Sequence, residues 1–267
     1  MTDAALNDLT ALWHTAVSDF HALADQISDD QWHQPTDLAG WDVAAIVAHV
    51  AHLEHVVAGG SHEVVDIGTP DHVKNLMGEY TEQGVVARRG RARDELVDEI
   101  AQAQAARSGL LATSPPDPDA PAPDVFGLLG WTNETLLRNR IGDIWMHEQD
   151  LRRTLGRPGN LDGAVGTFVI KHYLGSLGYA LGKGAKAAIG QSARVDIGTI
   201  SAAAVVGEDG RGRLAVVADP TTTIALSREG YILLAGGRRS ADAIRPEAIS
   251  GDAVLAHRLL GALTVTP

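Results

Sequence analysis

Apolar residues recur every three or four positions through most of the first 155 residues, the spacing of amphipathic helices. The pattern predicts a short helix after Pro70 and four long helices, over 3–27, 43–57, 91–111 and 132–155. Asp42 and Thr132 are expected to be N-caps, and Leu110 is expected on the buried side of the third long helix. The prolines of 114–124 predict a surface loop, because proline removes backbone donors. Four helices joined in this way predict a four-helix bundle.

After Gly159 the pattern changes to a mixture of helices and alternating strands. Helices are predicted over 161–181, 228–235 and 252–263. Strands are predicted over 193–198, 202–208, 213–219, 221–226 and 244–249. This part is expected to be a separate α+β domain. The predicted domains are 1–158 and 159–267.

Composition narrows the classes of partner. The net charge of -12 argues against nucleic acid and anionic membranes, which attract basic patches. Apolar runs are too short for a membrane span, and the acidic start does not resemble a signal peptide, so we expect a cytoplasmic protein. The chain has no cysteine, so any metal must be held by histidine or carboxylate, and any thiol must come from outside.

The second helix carries three histidines within seven positions, in AAIVAHVAHLEHVV. His49 lies beside the apolar stripe of this helix and is expected to point partly inward. His52 lies one turn further on a similar side and is expected to line a pocket, whereas His55 rotates away and is expected to face water.

The fourth helix carries one polar stripe, formed by Arg140, Asp143, His147 and Asp150 at spacings of three, four and three. Asp143 and His147 have the i, i+4 spacing that lets two side chains of one helix reach a common metal. A third ligand from a facing helix would leave a coordination position open, as in catalytic zinc sites. The same spacing is more often that of a simple ion pair or hydrogen bond, so both interpretations stay open here.

Two motifs resemble the mycothiol-dependent maleylpyruvate isomerase family: GWDVAAIVAHV, which ends just after His49, and RIGDIWMHEQDLRRTLGRPG, residues 140–159. The C-terminal stretches TTTIALSREGYILLAGGRR and AISGDAVLAHRLLGAL are similar to the sterol-carrier-protein-like domain fused to many members. The resemblance covers nearly the whole chain. It implies a DinB-like four-helix bundle followed by a small α+β domain of the sterol-carrier type.

The resemblance also implies a divalent metal, usually zinc, held by His49, Asp143 and His147, with mycothiol as the thiol cosubstrate. The best characterised members have glutamate where this chain has Asp143, so the metal is expected to bind more weakly, and the chemistry need not be maleylpyruvate isomerisation. Asp150 is expected either to fix a ligand imidazole or to pair with Arg153 or Arg140. Arg238 is carried over as the arginine that binds an anionic group of the substrate.

The first hypothesis is therefore an enzyme in which a metal and an external thiol isomerise or conjugate a small, electrophilic, anionic substrate. His52, Asp150 and Arg140 would surround the metal ligands. One alternative is a non-catalytic protein that binds a small ligand and keeps a structural or vestigial metal. Another is a metal-dependent hydrolase with His52 or Asp150 as general base. A monomer and a homodimer are both compatible with the sequence.

Overall fold

The computed structural model describes residues 3–265. In its N-terminal part, helices joined by loops form the regular structure. Its helices are α1 (Asp3–Ala24), α2 (Val43–Val57), α3 (Leu76–Ala87), α4 (Arg93–Thr113), α5 (Asp124–Leu128) and α6 (Asn133–Thr154). The long helices α1, α2, α4 and α6 pack together, which confirms the predicted four-helix bundle. Large side chains from all four fill its core: Trp13, Phe20, Ile46, Leu96, Ile100, Ile141, Ile144 and Trp145.

The C-terminal part combines helices with a five-stranded sheet. The elements are α7 (Ala164–Leu174), α8 (Leu177–Tyr179), β1 (Ser192–Ile197), β2 (Ile200–Val206), β3 (Gly212–Leu214), β4 (Thr222–Leu226), α9 (Arg228–Ala235), β5 (Ala248–Gly251) and α10 (Ala253–Leu260). The strand order is β3-β2-β1-β4-β5, and only the β1–β4 pair is parallel among the described strands. The predicted α+β class is confirmed.

The chain divides into two compact units after Gly159. Each has its own buried core, helical in the first unit and built on the sheet in the second. Within residues 3–265, no helix is long and apolar enough to cross a membrane.

Several predicted elements differ from those observed in the bundle. The short helix expected after Pro70 begins only at Leu76, because the Asn75 side chain caps it by accepting a hydrogen bond from Gly78 N at 2.9 Å. Leu110 is 46 % exposed, so its predicted burial is wrong. Burial on α4 ends at Arg107, and the last turns of this helix extend into solvent.

Three predictions for the C-terminal unit also need correction. The helix over 161–181 is interrupted, because α7 ends at Leu174 before a glycine. The strand over 213–219 stops at Leu214: Ala215 N still donates to β2, but Val216 then leaves the ladder fully exposed. The strand over 244–249 is displaced to β5, because Pro246 cannot donate to a ladder.

Candidate metal centre

Helix α2 carries the three histidines, and local residues set its ends. The Asp42 carboxylate accepts a hydrogen bond of 2.8 Å from a backbone N–H of the first turn, and Gly59, with φ +96°, lies just beyond the last turn. His49 is 3 % exposed and His52 is fully buried, whereas the His55 side chain is 39 % exposed. His49 and His52 therefore point into the unit, and His55 borders the solvent.

Helix α6 brings an aspartate and a histidine to face His49. Asp143 Oδ2 lies 3.1 Å from His49 Nε2, and Asp143 Oδ1 lies 3.5 Å from His147 Nε2. Ligand atoms of all three side chains lie within 4.8 Å of one another. The two imidazoles are buried, but the Asp143 side chain is 32 % exposed. The group, called the metal centre below, is thus open to solvent at its carboxylate.

The spacing of these atoms suits a divalent ion. Bonds of about 2.1 Å in a tetrahedron separate neighbouring donor atoms by about 3.4 Å. The two carboxylate–imidazole distances of 3.1 and 3.5 Å lie on either side of that value. Two imidazole nitrogens and one carboxylate oxygen suit Zn²⁺ and several other transition metals, and three protein ligands leave a position for water or substrate. The donor set therefore fits a metal with an open position.

One imidazole has a carboxylate behind it. His147 Nδ1 lies 3.1 Å from Asp150 Oδ2, and Asp150 also accepts a short hydrogen bond from Arg153. Asp150 is only 1 % exposed. Both roles expected for Asp150 are thus present as contacts. A proton on His147 Nδ1 that is donated to Asp150 leaves Nε2 as the lone pair facing Asp143.

Arg140 connects the metal centre to the core of the bundle. Its NH1 donates to Asp143 Oδ2 at 2.6 Å, and its Nε donates to Glu54 Oε1 at 2.9 Å. Glu54 is fully buried and also accepts from Trp13 Nε1 at 2.9 Å and from Arg107 at 3.4 Å. The guanidinium therefore holds the Asp143 carboxylate in one orientation.

Two of the three side chains, His49 and Asp143, also have protonation states that suit metal binding. Burial lowers the pKa of His49 to about 4, against the opposing charge of Asp143. Burial acts to raise the pKa of Asp143, but His49, Arg140 and His147 outweigh it and hold that pKa well below its usual range. Burial acts to lower the pKa of His147, but Asp143 and Asp150 together raise it. At neutral pH Asp143 is therefore ionised and His49 is neutral, the forms that ligate metals.

Comparison with known proteins shows to which family the chain belongs. The profile of a family described as Mycothiol maleylpyruvate isomerase N-terminal domain matches residues 13–152, more than half of the 267 residues. The chain belongs to this family.

Two solved structures have the same fold as this family member. They are crystal structures of the mycothiol-dependent maleylpyruvate isomerase and of a histidine-to-alanine mutant of it. Each aligns with a TM-score of 0.55 at 16 % identity, over 92 % of this chain and 96 % of the other. No curated protein sequence matches the chain significantly. The match over both chains' lengths supports the fold of the bundle and of the α+β domain.

A tryptophan of the family-like GW motif lies against the metal centre. The centroid of the Trp41 ring is 4.8 Å from that of His49 and 5.9 Å from that of His147. Trp41 Nε1 donates to Glu82 Oε2 at 2.8 Å, and His72 Nε2 lies 3.0 Å from the same oxygen. Trp41 therefore packs on the two imidazoles of the metal centre.

His52 belongs to a different group from the one predicted. Instead of joining the metal centre, it packs with His62, Glu63 and Arg88, which together are called the His52 cluster below. Its Nδ1 lies 3.2 Å from Glu63 and 3.3 Å from Arg88 NH1, and its Nε2 lies 3.3 Å from His62 Nδ1. His52 points toward α3 because Gly84 leaves room for its ring: a Cβ there would lie 2.0 Å from it.

Arg238 lies in the C-terminal unit, just after α9. It is half-buried, its NH1 donates to Gly236 O at 2.5 Å, and its backbone N donates to Leu233 O at 2.8 Å. These contacts fix the turn at the end of α9. A role for Arg238 in substrate binding stays a prediction.

The sequence analysis missed two buried carboxylates beside the metal centre, Glu54 and Glu82. Glu54 follows Val50 by four residues on α2, so a charged residue facing the core could have been noticed from the helical period. Glu82 lies on α3. Its contact with Trp41 spans 41 residues, and no local pattern indicates it.

Proposed function

We propose that this protein is a divalent-metal-dependent enzyme that uses mycothiol, or a similar small thiol, to isomerise or conjugate a small, electrophilic, anionic substrate. The observation that carries the proposal is the convergence of His49 Nε2 and His147 Nε2 on the two oxygens of Asp143. Family membership supports the thiol, since the family and its solved relatives are described as mycothiol-dependent isomerases. We expect it to act in the cytoplasm.

In this proposal the metal centre residues are the ligands. When bound, a divalent metal, for which we favour Zn²⁺, supplies the positive charge that lowers the pKa of an added thiol to near neutrality. The thiol must be external, because the chain has no cysteine. It would approach from the Asp143 side, where the carboxylate is one-third exposed.

The residues around the ligands have separate tasks. Asp150 holds a proton on His147 Nδ1, so that Nε2 stays available as a lone pair. Arg140 donates to Asp143 Oδ2 and would hold the carboxylate in place for a bound metal. We assign Arg238 to an anionic group of the substrate, on family resemblance alone.

The first test is the metal content of protein purified without an affinity tag, by elemental analysis. Close to one divalent ion per wild-type chain is expected, with loss of the ion in both His49→Ala and Asp143→Ala. His55→Ala is the matched control, because His55 lies on the same helix but borders the solvent. Wild-type protein that stays metal-free after incubation with Zn²⁺ would contradict the proposal.

The second test concerns the thiol. Metal-loaded protein is mixed with mycothiol and maleylpyruvate, and with a panel of other unsaturated carboxylic acids, and the product is followed by NMR. Isomerised acid without net loss of thiol indicates an isomerase, and thiol lost into a stable adduct indicates a transferase. Turnover that is equally fast without any thiol would refute the thiol-dependent mechanism.

A groove in the C-terminal unit favours ligand binding as a second candidate function. It lies between α7 and strands β2 and β3, encloses about 310 Å³, and combines the Lys171 ammonium with apolar residues such as Leu174, Ile200 and Leu214. A small amphipathic acid is the class of ligand that suits it. Binding of such an acid by metal-free protein, with no activity after metal loading, would favour this candidate.

The structure offers no support for the hydrolase considered from the sequence. Both proposed general bases are engaged: His52 in its own cluster, and Asp150 with His147 and Arg153.

A further inference from the structure

The two imidazoles of the metal centre are held in different ways. His147 is oriented through its Nδ1, which faces the buried Asp150 carboxylate at 3.1 Å. His49 Nδ1 is also buried, but it has no hydrogen-bond partner within the described part of the chain. The contact of His49 Nε2 with Asp143 fixes one point of the ring and leaves rotation about it unrestrained by hydrogen bonds. Packing must therefore fix the His49 ring.

Trp41 provides that packing. Its ring centroid lies 4.8 Å from that of His49, with 42° between the planes, and the same indole reaches His147 at 5.9 Å. The two imidazoles contact each other edge to face at 4.7 Å. An indole against a buried imidazole makes many dispersion contacts, and rotation of either ring would lose them.

Trp41 is itself held from three sides. Its Nε1 donates to Glu82, which is 3 % exposed and is also 3.0 Å from His72 Nε2. Its backbone oxygen accepts from Thr36 Oγ1 at 2.7 Å. Gly40 has φ +82°, and a Cβ there would lie 2.3 Å from the His72 ring, so only glycine lets the chain approach His72 this closely. The indole therefore has little freedom to move.

We propose that Trp41 is a positioning residue that holds His49 in its ligating orientation, as Asp150 does for His147, and that Glu82 and His72 hold Trp41 in place. This inference rests on the proposed function, because a ligating orientation has consequences only where a metal binds. It assigns to the GW segment and to α3 a task in the metal centre, although neither contributes a ligand.

The test compares Trp41→Leu with Trp131→Leu. Trp131 is also a partly buried tryptophan of the bundle, but it stacks on Phe126, and within residues 3–265 no hydrogen bond or ring contact joins it to the metal centre. Affinity for Zn²⁺ is measured by competition with a chromophoric chelator, and the geometry of the site is read from the visible absorption of the Co²⁺-loaded proteins. Trp41→Leu is expected to bind Zn²⁺ about tenfold more weakly with an altered Co²⁺ spectrum, as for loss of other outer partners.

A second variant, Glu82→Gln, tests the support of Trp41 without removing the ring. It is expected to weaken Zn²⁺ binding in the same direction but less. Trp131→Leu is expected to match the wild type in affinity and spectrum. Trp41→Leu with wild-type affinity and an unchanged Co²⁺ spectrum would overturn the inference, as would an equal loss in Trp131→Leu.

A metal-free measurement separates this inference from the proposed function. If the wild type binds no metal, the proposed function fails, and the ¹⁵N–¹H spectrum of the histidine side chains then decides the inference. Broadened or doubled His49 signals in Trp41→Leu, with His147 unchanged, support it. His49 signals as sharp as those of the wild type refute it.

Discussion

The metal centre and the His52 cluster contain the same types of residue and share helix α2, yet their atoms are arranged differently. Each has two histidines and one acid with ligand atoms within 4.8 Å of one another. In the metal centre, both imidazoles direct Nε2 at one carboxylate. In the His52 cluster, His52 Nε2 lies 3.3 Å from His62 Nδ1, and Arg88 NH1 contacts both His52 and Glu63.

The hydrogen bonds of the His52 cluster can be satisfied without an ion. Arg88 NH1 donates to His52 Nδ1, so the proton of His52 lies on Nε2 and is donated to His62 Nδ1. His62 Nε2 then donates to Gln83 Oε1 at 2.8 Å. The imidazole lone pairs are thus occupied by hydrogen bonds, and the Arg88 cation lies 3.3 Å from His52 Nδ1.

The lesson is that closeness of metal-binding residue types does not define a metal site. What matters is whether lone pairs converge, and whether a fixed cation faces the imidazole nitrogens or only the carboxylate. Arg140 contacts the carboxylate of the metal centre, whereas Arg88 contacts an imidazole of the His52 cluster. We therefore expect the following changes to affect the two groups differently.

Replacing one histidine in each group should give the largest difference in Zn²⁺ affinity between the two groups. His49→Ala is expected to weaken Zn²⁺ binding by at least about a thousandfold, since even outer partners of a metal are worth about 10- to 100-fold. His62→Ala should bind Zn²⁺ as the wild type does. Chelator competition on both variants checks this. Weaker binding in His62→Ala would show that the His52 cluster contributes to the metal site.

Removing the arginine of the His52 cluster should affect stability and leave metal binding intact. Arg88 is 2 % exposed and pairs with Glu99 and Glu63. Arg88→Met removes the arginine partner of Glu63 and leaves Glu99 with Arg91, so it is expected to lower the free energy of unfolding by about 3 kcal/mol. Urea unfolding measures this change in the free energy of unfolding. Arg89→Met, at a position 68 % exposed, is the control and should change stability by less than about 0.5 kcal/mol.

Acid should destabilise the protein partly through His52. Burial, with the charge of Arg88, lowers the pKa of His52 to about 3, against about 6.5 in an unfolded chain. Between these values the unfolded chain binds a proton that the folded His52 does not, so stability falls as the pH falls. From pH 6.5 to 5 the loss due to this group is about 2 kcal/mol.

His52→Gln removes this titration. Its free energy of unfolding should therefore decline about 2 kcal/mol less than that of the wild type over the same pH interval, whatever its starting value. His55→Gln, at the exposed position on the same helix, should follow the wild-type pH dependence. Identical slopes for His52→Gln and the wild type would mean that the pKa of His52 is the same in the folded and the unfolded chain.

The smallest expected difference concerns the acids beside the imidazoles. Asp150 and Glu63 lie at nearly equal distances, 3.1 and 3.2 Å, from the Nδ1 atoms of His147 and His52. Asp150→Asn should weaken Zn²⁺ binding about tenfold, or by about 1.4 kcal/mol, and Glu63→Gln should not change it. Chelator competition measures both, and equal effects would remove the distinction between the two groups.

The sequence was informative where regular helices fix which residues share a face. His49 on α2 and the stripe of Asp143 and His147 on α6 followed from the period of 3.6 residues, because a helix carries that period into three dimensions. The period does not show which helices face each other, so family resemblance was needed to bring the two halves together. His49 and His52 belong to different groups because they lie one turn apart on α2 and because Gly84 leaves room for the His52 ring. The spacing of the histidines alone could not predict this separation.

Contacts made through irregular backbone could not be predicted. His62, Glu63 and His72 lie in the segment between α2 and α3, which has no period to read. Their partners on α3 and in the GW segment are joined by tertiary packing alone. The strand predicted over 213–219 was too long for a similar reason. Alternation of apolar residues does not show where a strand stops pairing with its neighbour.

Arg140 contacts a carboxylate of the core, Glu54, and a carboxylate of the metal centre, Asp143. Replacing any one of the three removes a partner from a buried charge, and breaking a buried pair costs about 3–5 kcal/mol. Amino-acid replacement at these positions is therefore expected to proceed in pairs. Redesign of the centre for another metal would accordingly begin at Glu54, inside the bundle, before Asp143 is changed.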